Sequence, residues 1–236
     1  MYQFFAPRSS SNSPVRLPEE YRETSRWQPK LGDRFPYCEF TTSQGKKSLK
    51  DIASGGWVYF FSMPNDITPV CSAELASFSR YGSDFRDIGV RLVSISRSTI
   101  EKQLEWHRMM DAQFGFKVDV LCIEDPELSL AKCFGMVHSR DSADAVVRKS
   151  FVIDPSQKIR SIVEYPEEVS RNAAEVLNHV ASLQEYDAMS SKIDEARSRP
   201  LDPLVLTNAS RPVAPKRVSS KAVFRDDLVR GDRLKA

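Results

Sequence analysis

A cysteine that begins a helix just past the end of an apolar strand has the makings of a nucleophile. This chain places Cys71 there, at the end of Pro64-Asn65-Asp66-Ile67-Thr68-Pro69-Val70-Cys71. Trp57 to Phe61 (WVYFF) is a continuous aromatic and β-branched run, which predicts a strand buried on both faces. Ser62 to Asp66 supply turn formers, Thr68 suits an N-cap, and Pro69 suits the first helical position, where a missing N–H costs nothing. Cys71 then occupies about the third helical position. Its sulfur lies there near unpaired backbone N–H groups and the positive end of the helix dipole, which together favour thiolate over thiol. The competing reading, a cysteine serving as a small buried hydrophobe, is the usual fate of this residue type but does not explain the position.

Pro64, Thr68, Cys71 and Glu74 together, as PxxxTxxC followed by glutamate, resemble the active-site signature of the peroxiredoxins of the alkyl hydroperoxide reductase C and thiol-specific antioxidant type. Flanking segments agree over roughly residues 30 to 184. Leu31-Gly32-Asp33-Arg34-Phe35-Pro36 and Phe40-Thr41-Thr42-Ser43-Gln44-Gly45 look like the family's opening strand and turn, and Val93-Ser94-Ile95-Ser96 with Trp106 like its next strand and helix. Arg148-Lys149-Ser150-Phe151-Val152-Ile153-Asp154 is similar to the strand carrying the active-site arginine. Arg171-Asn172 and Glu175-Val176-Leu177, ending at Leu183-Gln184, look like the last core helix.

The resemblance implies a thioredoxin-like α/β fold and a thiol-dependent peroxidase that reduces hydrogen peroxide and organic hydroperoxides in antioxidant defence. No cofactor or metal is expected. In such chemistry sulfur attacks one peroxide oxygen, the other leaves as hydroxide or alkoxide, and a sulfenic acid remains. Negative charge moves onto the leaving oxygen, so fixed donors in a water-poor pocket are needed. By resemblance, Arg148 supplies the permanent charge, Thr68 contacts thiolate and peroxide, Pro64 shields the thiolate from water, and Glu74 orients the arginine. Read without the family, Arg148 is a surface arginine opening a strand, Thr68 only an N-cap, and Glu74 a solvated helix residue.

The sulfenic acid must next meet a thiol. Typical two-cysteine members carry that thiol in the C-terminal segment, but no cysteine follows Cys133 here, and about 52 residues follow Gln184. Both features point toward the one-cysteine subfamily and an external thiol reductant of the thioredoxin, glutaredoxin or glutathione type. Cys133, placed on the apolar side of a short helix, and Cys122, in a core strand, stay as possible resolving residues, and Cys38 ranks below them. Met63 departs from the histidine common in the one-cysteine group. The GGLG segment and any GxSxG are absent, and His107, His138 and His179 match no family catalytic position.

Alternating strands and helices position these groups. The expected order after WVYFF is a helix at Pro69–Phe85, a strand at Arg91–Ser96, a helix at Thr99–Met110, a strand at Val118–Ile123 and a short helix at Glu127–Phe134. A hairpin of Lys149–Ile153 and Lys158–Glu164 around Asp154–Gln157 and a helix at Ser170–Gln184 close a mixed sheet with helices on both faces. Residues 1–30 read as an N-terminal arm, 31–185 as the core domain and 186–236 as a basic extension.

At 236 residues, 41% hydrophobic and 28% charged, the composition is that of an ordinary globular chain, and no apolar run of membrane-spanning length occurs. The N-terminus lacks the pattern of a secretory signal, so a cytoplasmic location is expected. Four irregularly spaced cysteines form neither a disulfide scaffold nor a zinc motif. The net charge of +2 conceals ten Lys or Arg against four Asp from Arg197 onward, with 24 basic and 28 acidic residues before it. That tail reads as a solvated or subunit-wrapping arm, since it lacks the aromatic pattern of a nucleic-acid module. A homodimer or larger homo-oligomer is expected by resemblance. The alternative function is a peroxide sensor or redox-regulated chaperone using the same cysteine without efficient turnover. Disulfide oxidoreductase chemistry is disfavoured, because the helix begins with TxxC rather than CxxC.

Overall fold

The computed structural model describes residues 28–64, 68–138 and 145–198. Its centre is a seven-stranded mixed sheet in the order β2-β1-β5-β4-β3-β8-β9. The strands are β1 (Glu39–Thr42), β2 (Gly45–Ser48), β3 (Trp57–Ser62), β4 (Val90–Ser96), β5 (Leu121–Glu124), β8 (Arg148–Ile153) and β9 (Ile159–Tyr165). β3, β4 and β5 run parallel, whereas β8 is antiparallel to both β3 and β9. A separate two-stranded ribbon pairs β6 (Val137–His138) with β7 (Ala145–Val146). The helices are α1 (Leu49–Ala53), α2 (Pro69–Arg80), α3 (Gly82–Asp87), α4 (Ile100–Phe114), α5 (Ser129–Cys133) and α6 (Ala173–Ser198).

Every residue of β3 is buried, as its unbroken apolar run requires of a strand covered on both faces. Alternation along β3 splits the core in two. Val58 and Phe60 face a layer with Phe35, Phe40, Phe134 and Phe151, roofed by α1 and α5. Trp57, Tyr59 and Phe61 face the other layer, where Cys71, Leu75 and Phe78 of α2 meet Trp106 of α4 and Val176 and Val180 of α6. Gly56 stands where the chain turns into β3: a Cβ there would lie 2.8 Å from the Gly89 carbonyl oxygen, and the same carbonyl accepts the Trp57 N–H.

Several boundaries differ from the sequence reading for local reasons. The helix expected at Pro69–Phe85 is two, broken at Tyr81, whose backbone (φ −96°, ψ 10°) reorients the chain into α3. α4 runs four residues further, to Phe114, and stops at Gly115 in the left-handed region. The strand expected from Val118 begins only at Leu121, because the Val118 N–H is taken by the Asp111 carboxylate at 2.7 Å. The helix expected at Glu127–Phe134 starts at Ser129, after Leu128 adopts a positive φ. β2 and α1 lie in a polar stretch without clear periodicity, yet Ser48 and Asp51 form a complete capping box that starts α1.

The last core helix continues past Gln184 to Ser198, so the anticipated start of the extension at 186 lies inside α6. The chain divides into two compact units, Met1–Met189 and Ser190–Ala236, and the described part of the second, 190–198, is helical. The expected arm up to residue 27 and the basic tail from residue 199 lie outside the described residues.

β8 and β9 turn at Asp154-Pro155-Ser156-Gln157, where Asp154 Oδ1 accepts from the backbone of Ser156 and Lys158. Arg160 then joins Asp154 Oδ2 at 3.3 Å to Asp187 of α6 through a two-pronged contact at 2.6 and 2.8 Å, and its guanidinium lies 5.5 Å from the Trp57 ring centre. Burial alone would raise the Asp154 carboxyl, but hydrogen bonds from Ser156, Lys158 and Arg160 overcome it and hold it below the usual carboxylate range. Asp187 is lowered chiefly by its hydrogen bonds from Arg160. Carboxyls lowered by folding contribute stability that is fully present above their unfolded value of about 4 and is lost as the pH falls through the folded values. Arg160→Ala is therefore expected to lower the melting temperature by a few degrees at neutral pH. Thermal melts at decreasing pH should show the gap to the parent chain closing below about pH 4.

Candidate active site

The site begins with the cap that the sequence predicts. Thr68 is the N-cap of α2, with extended backbone, and its hydroxyl oxygen accepts the Cys71 N–H at 3.2 Å. Pro69 follows as the first helical residue and Cys71 is the third. Cys71 is fully buried, at the foot of the layer holding Phe61, Leu75 and Phe78. Pro64 lies two residues beyond the end of β3 and is half-buried.

Arg148 arrives from the neighbouring antiparallel strand as the first residue of β8, and only 1% of it is exposed, so the surface reading of this residue fails. Its guanidinium donates in three directions: Nη2 to Cys71 Sγ at 3.1 Å, Nη1 to Glu74 Oε2 at 2.9 Å and Nε to the Glu167 carbonyl at 2.8 Å. Such a planar fork is aimed by its partners more rigidly than an ammonium would be. Ser62, the last residue of β3, secures the backbone on both sides of Arg148: its hydroxyl donates toward the Val147 and Lys149 carbonyls and accepts the Lys149 N–H at 2.9 Å.

Glu74, three residues after Cys71, is completely buried rather than solvated. Its carboxylate serves two arginines. Oε2 accepts from Arg148 Nη1 and, at 3.0 Å, from Arg171 Nη1, while Oε1 accepts the Arg171 backbone N–H at 2.8 Å. Arg171 also donates through Nη2 to the Ser62 carbonyl at 2.8 Å, and its guanidinium lies 5.2 Å from the Phe61 ring centre. Arg171 completes the cluster as a charge, where the sequence marks it only as a landmark before the last helix. Asn172, the next residue, accepts the N–H groups of Ala174 and Glu175 through its side chain and starts α6. No local pattern marks Arg171 in the sequence, because the buried carboxylate that needs it lies 97 residues away.

The other cysteines are elsewhere. Cys122 lies in β5, fully buried, with its sulfur 3.6 Å from His107 Nε2. Cys133 ends α5 and is exposed, not on the apolar side of that helix as the sequence reading had it. Cys38 is half-buried against the layer that contains Phe60, on the face of the sheet away from Cys71. Among the described residues the four cysteines form no disulfide. His107 is buried and His179 is exposed, and neither is among the hydrogen-bond partners of Cys71, Arg148 or Glu74 described above.

A cysteine sulfur held by an arginine at a capped helix start, in this sheet order, invites comparison with known proteins. The AhpC/TSA family pattern matches residues 31–162. The chain belongs to the AhpC/TSA family. A peroxiredoxin of Hyperthermus butylicus is 35% identical over 159 residues, 67% of this chain and 68% of that protein. A peroxiredoxin of Treponema denticola is 31% identical over 198 residues, covering 84% and 93% of the two chains. Among solved structures, a yeast mitochondrial 1-Cys peroxiredoxin, described for thiol resolution via the glutathione and thioredoxin systems, superposes with a TM-score of 0.63 at 30% identity, over 68% of this chain and 79% of that one.

Removing the shared carboxylate charge leaves two buried guanidiniums without their common counter-ion. Glu74→Gln is expected to cost about 3–5 kcal/mol of stability, read from urea unfolding. A loss below about 1 kcal/mol, the range of exposed ion pairs, would mean that the three side chains do not act as a buried cluster.

Proposed function

We propose that Cys71 is the nucleophile of a thiol-dependent peroxidase that reduces hydrogen peroxide and organic hydroperoxides. The observation that carries this reading is the donor from Arg148 Nη2 to Cys71 Sγ at 3.1 Å inside a buried site. One carboxylate facing two guanidiniums leaves an excess positive charge, and the Cys71 sulfur is the group positioned to balance it as a thiolate.

The step follows from that charge distribution. The Cys71 thiolate attacks one peroxide oxygen, the O–O bond breaks, and the second oxygen leaves with the electron pair as hydroxide or alkoxide, which takes a proton to become water or an alcohol. Cys71 is left as sulfenic acid. Arg148 faces both the sulfur that loses negative charge and the oxygen that gains it, so its attraction follows the charge through the transition state. The Thr68 hydroxyl accepts from the Cys71 N–H, which leaves its own O–H to donate to the peroxide. Pro64 limits water around the sulfur. Glu74 and Arg171 act through Arg148 as positioning residues.

Recycling by an external thiol of the thioredoxin, glutaredoxin or glutathione class fits the placement of Cys38 and Cys133. Cys38 packs on the opposite face of the sheet from Cys71, and Cys133 stands at the end of α5, the helix roofing that same opposite layer. An incoming thiol condenses with the sulfenic acid, releasing water and forming a mixed disulfide that a second thiol cleaves. We place this chemistry in the cytoplasm, where reduced thiols are supplied, and in a homo-oligomer.

Cys71→Ser should abolish peroxide consumption. Arg148→Ala should slow Cys71 oxidation by about 10²-fold or more, the scale of losing one fixed donor to developing charge. Mass spectrometry of reduced protein after one equivalent of hydrogen peroxide, with a sulfenic-acid trap, should label Cys71. An unlabelled Cys71 overturns the assignment, and a disulfide from Cys71 to Cys38, Cys122 or Cys133 overturns recycling by an external thiol.

A further inference from the structure

On the face of the sheet away from Cys71, two cysteines stand next in sequence or in packing to one aromatic cluster. Phe134 directly follows Cys133, and its ring centre lies 4.9 Å from that of Phe35 and 6.5 Å from that of Phe40. Those two phenylalanines bracket Cys38, which packs against the same cluster and donates its thiol proton toward the Pro36 carbonyl at 3.5 Å. The end of α5 and the segment leading into β1 are therefore clamped by one set of rings, with an exposed thiol on one side and a half-buried thiol on the other. Burial, and then the neighbouring Cys133 sulfur, push the Cys38 thiol up to about 12. Burial also raises the Cys133 thiol above its ordinary value.

We propose that Cys38 and Cys133 are an intramolecular disulfide site, formed by exchange with low-molecular-weight disulfides of the glutathione class. Cys133 is the exposed member and reacts first. Its thiolate attacks one sulfur of the small disulfide, that S–S bond breaks, and one small thiolate leaves and takes up the proton Cys133 gave up. Cys38 then loses its proton and attacks the Cys133 sulfur of the mixed disulfide, and the second small thiolate departs and is protonated. Two protein thiols are oxidised by two electrons, and one small disulfide is reduced to two thiols. Burial keeps the second exchange slow at neutral pH.

The bridge would close a loop of about 95 residues, long enough to constrain the unfolded chain strongly. It also braces the segment after α5. The Gly135 carbonyl accepts Lys149 Nζ at 3.0 Å and the Met136 carbonyl accepts the Val147 N–H at 2.8 Å, so both residues flanking Arg148 are tied to the chain that Cys133 begins.

The test uses the full chain carrying Cys71→Ser, so that its outcome does not depend on peroxidase chemistry. After exposure to oxidised glutathione at mildly alkaline pH, peptide mapping without reduction should find Cys38 joined to Cys133. The melting temperature should rise by roughly 5 °C or more, with both changes reversed by dithiothreitol. Adding Cys133→Ser or, separately, Cys38→Ser should remove link and shift alike. The proposal is overturned if Cys133 is recovered only as a glutathione adduct with Cys38 still open to alkylation, or if Cys133 pairs with Cys122 or with another chain.

Discussion

One buried carboxylate governs this structure. Glu74 has no water to solvate it, so it must be surrounded by donors, and it receives them from Arg148 and from both the side chain and backbone of Arg171. Those three residues come from α2, β8 and the segment leading into α6, so meeting the needs of a single side chain ties these three parts of the chain together. Arg148 has a donor left over after serving Glu74, and that donor meets the Cys71 sulfur. The chemistry of the thiol is thus a by-product of a solvation problem: arginines collected to neutralise a glutamate leave a surplus of positive charge beside a sulfur.

The sheet makes the arrangement affordable. β3 is buried along its whole length between two aromatic layers, so its last residue, Ser62, stands at a well-determined position. From there its hydroxyl and carbonyl reach the backbone around Arg148 and the guanidinium of Arg171. Hydrogen bonds to a strand end that cannot shift hold the donors in place before any substrate arrives, which is the condition under which fixed charges act most strongly on a reacting centre.

Much of this was legible in the residues, and the parts that were not have a common cause. The apolar run of β3, the Thr68-Pro69 cap and the placing of Cys71 on the first helical turn are written in neighbouring positions, where pattern and local geometry coincide. The β8–β9 hairpin was legible for the same reason, through the turn formers after Asp154. Arg171 was not, because its meaning lies in a partner 97 residues away, and a lone arginine before an N-cap asparagine looks like any other. Cys133 was placed on the wrong side of α5, a helix of five residues that offers too little periodicity to assign a face. The break at Tyr81 leaves no mark in the pattern, because helix resumes at once in α3.

The cluster is also spread along the chain in time. A ribosome makes Cys71 first, Arg148 77 residues later, and Arg171 97 residues after Glu74. Until the last of these emerges and α6 begins to form, the thiol has the helix start of α2 but lacks the complete set of cations. A nascent chain therefore exposes an ordinary cysteine to the oxidants around it, and the reactive one comes into being only as synthesis of the core finishes. The charges lie far from the sulfur in sequence, and Arg148, which comes within 3.1 Å of it in the fold, is itself held by a glutamate whose second arginine is made last.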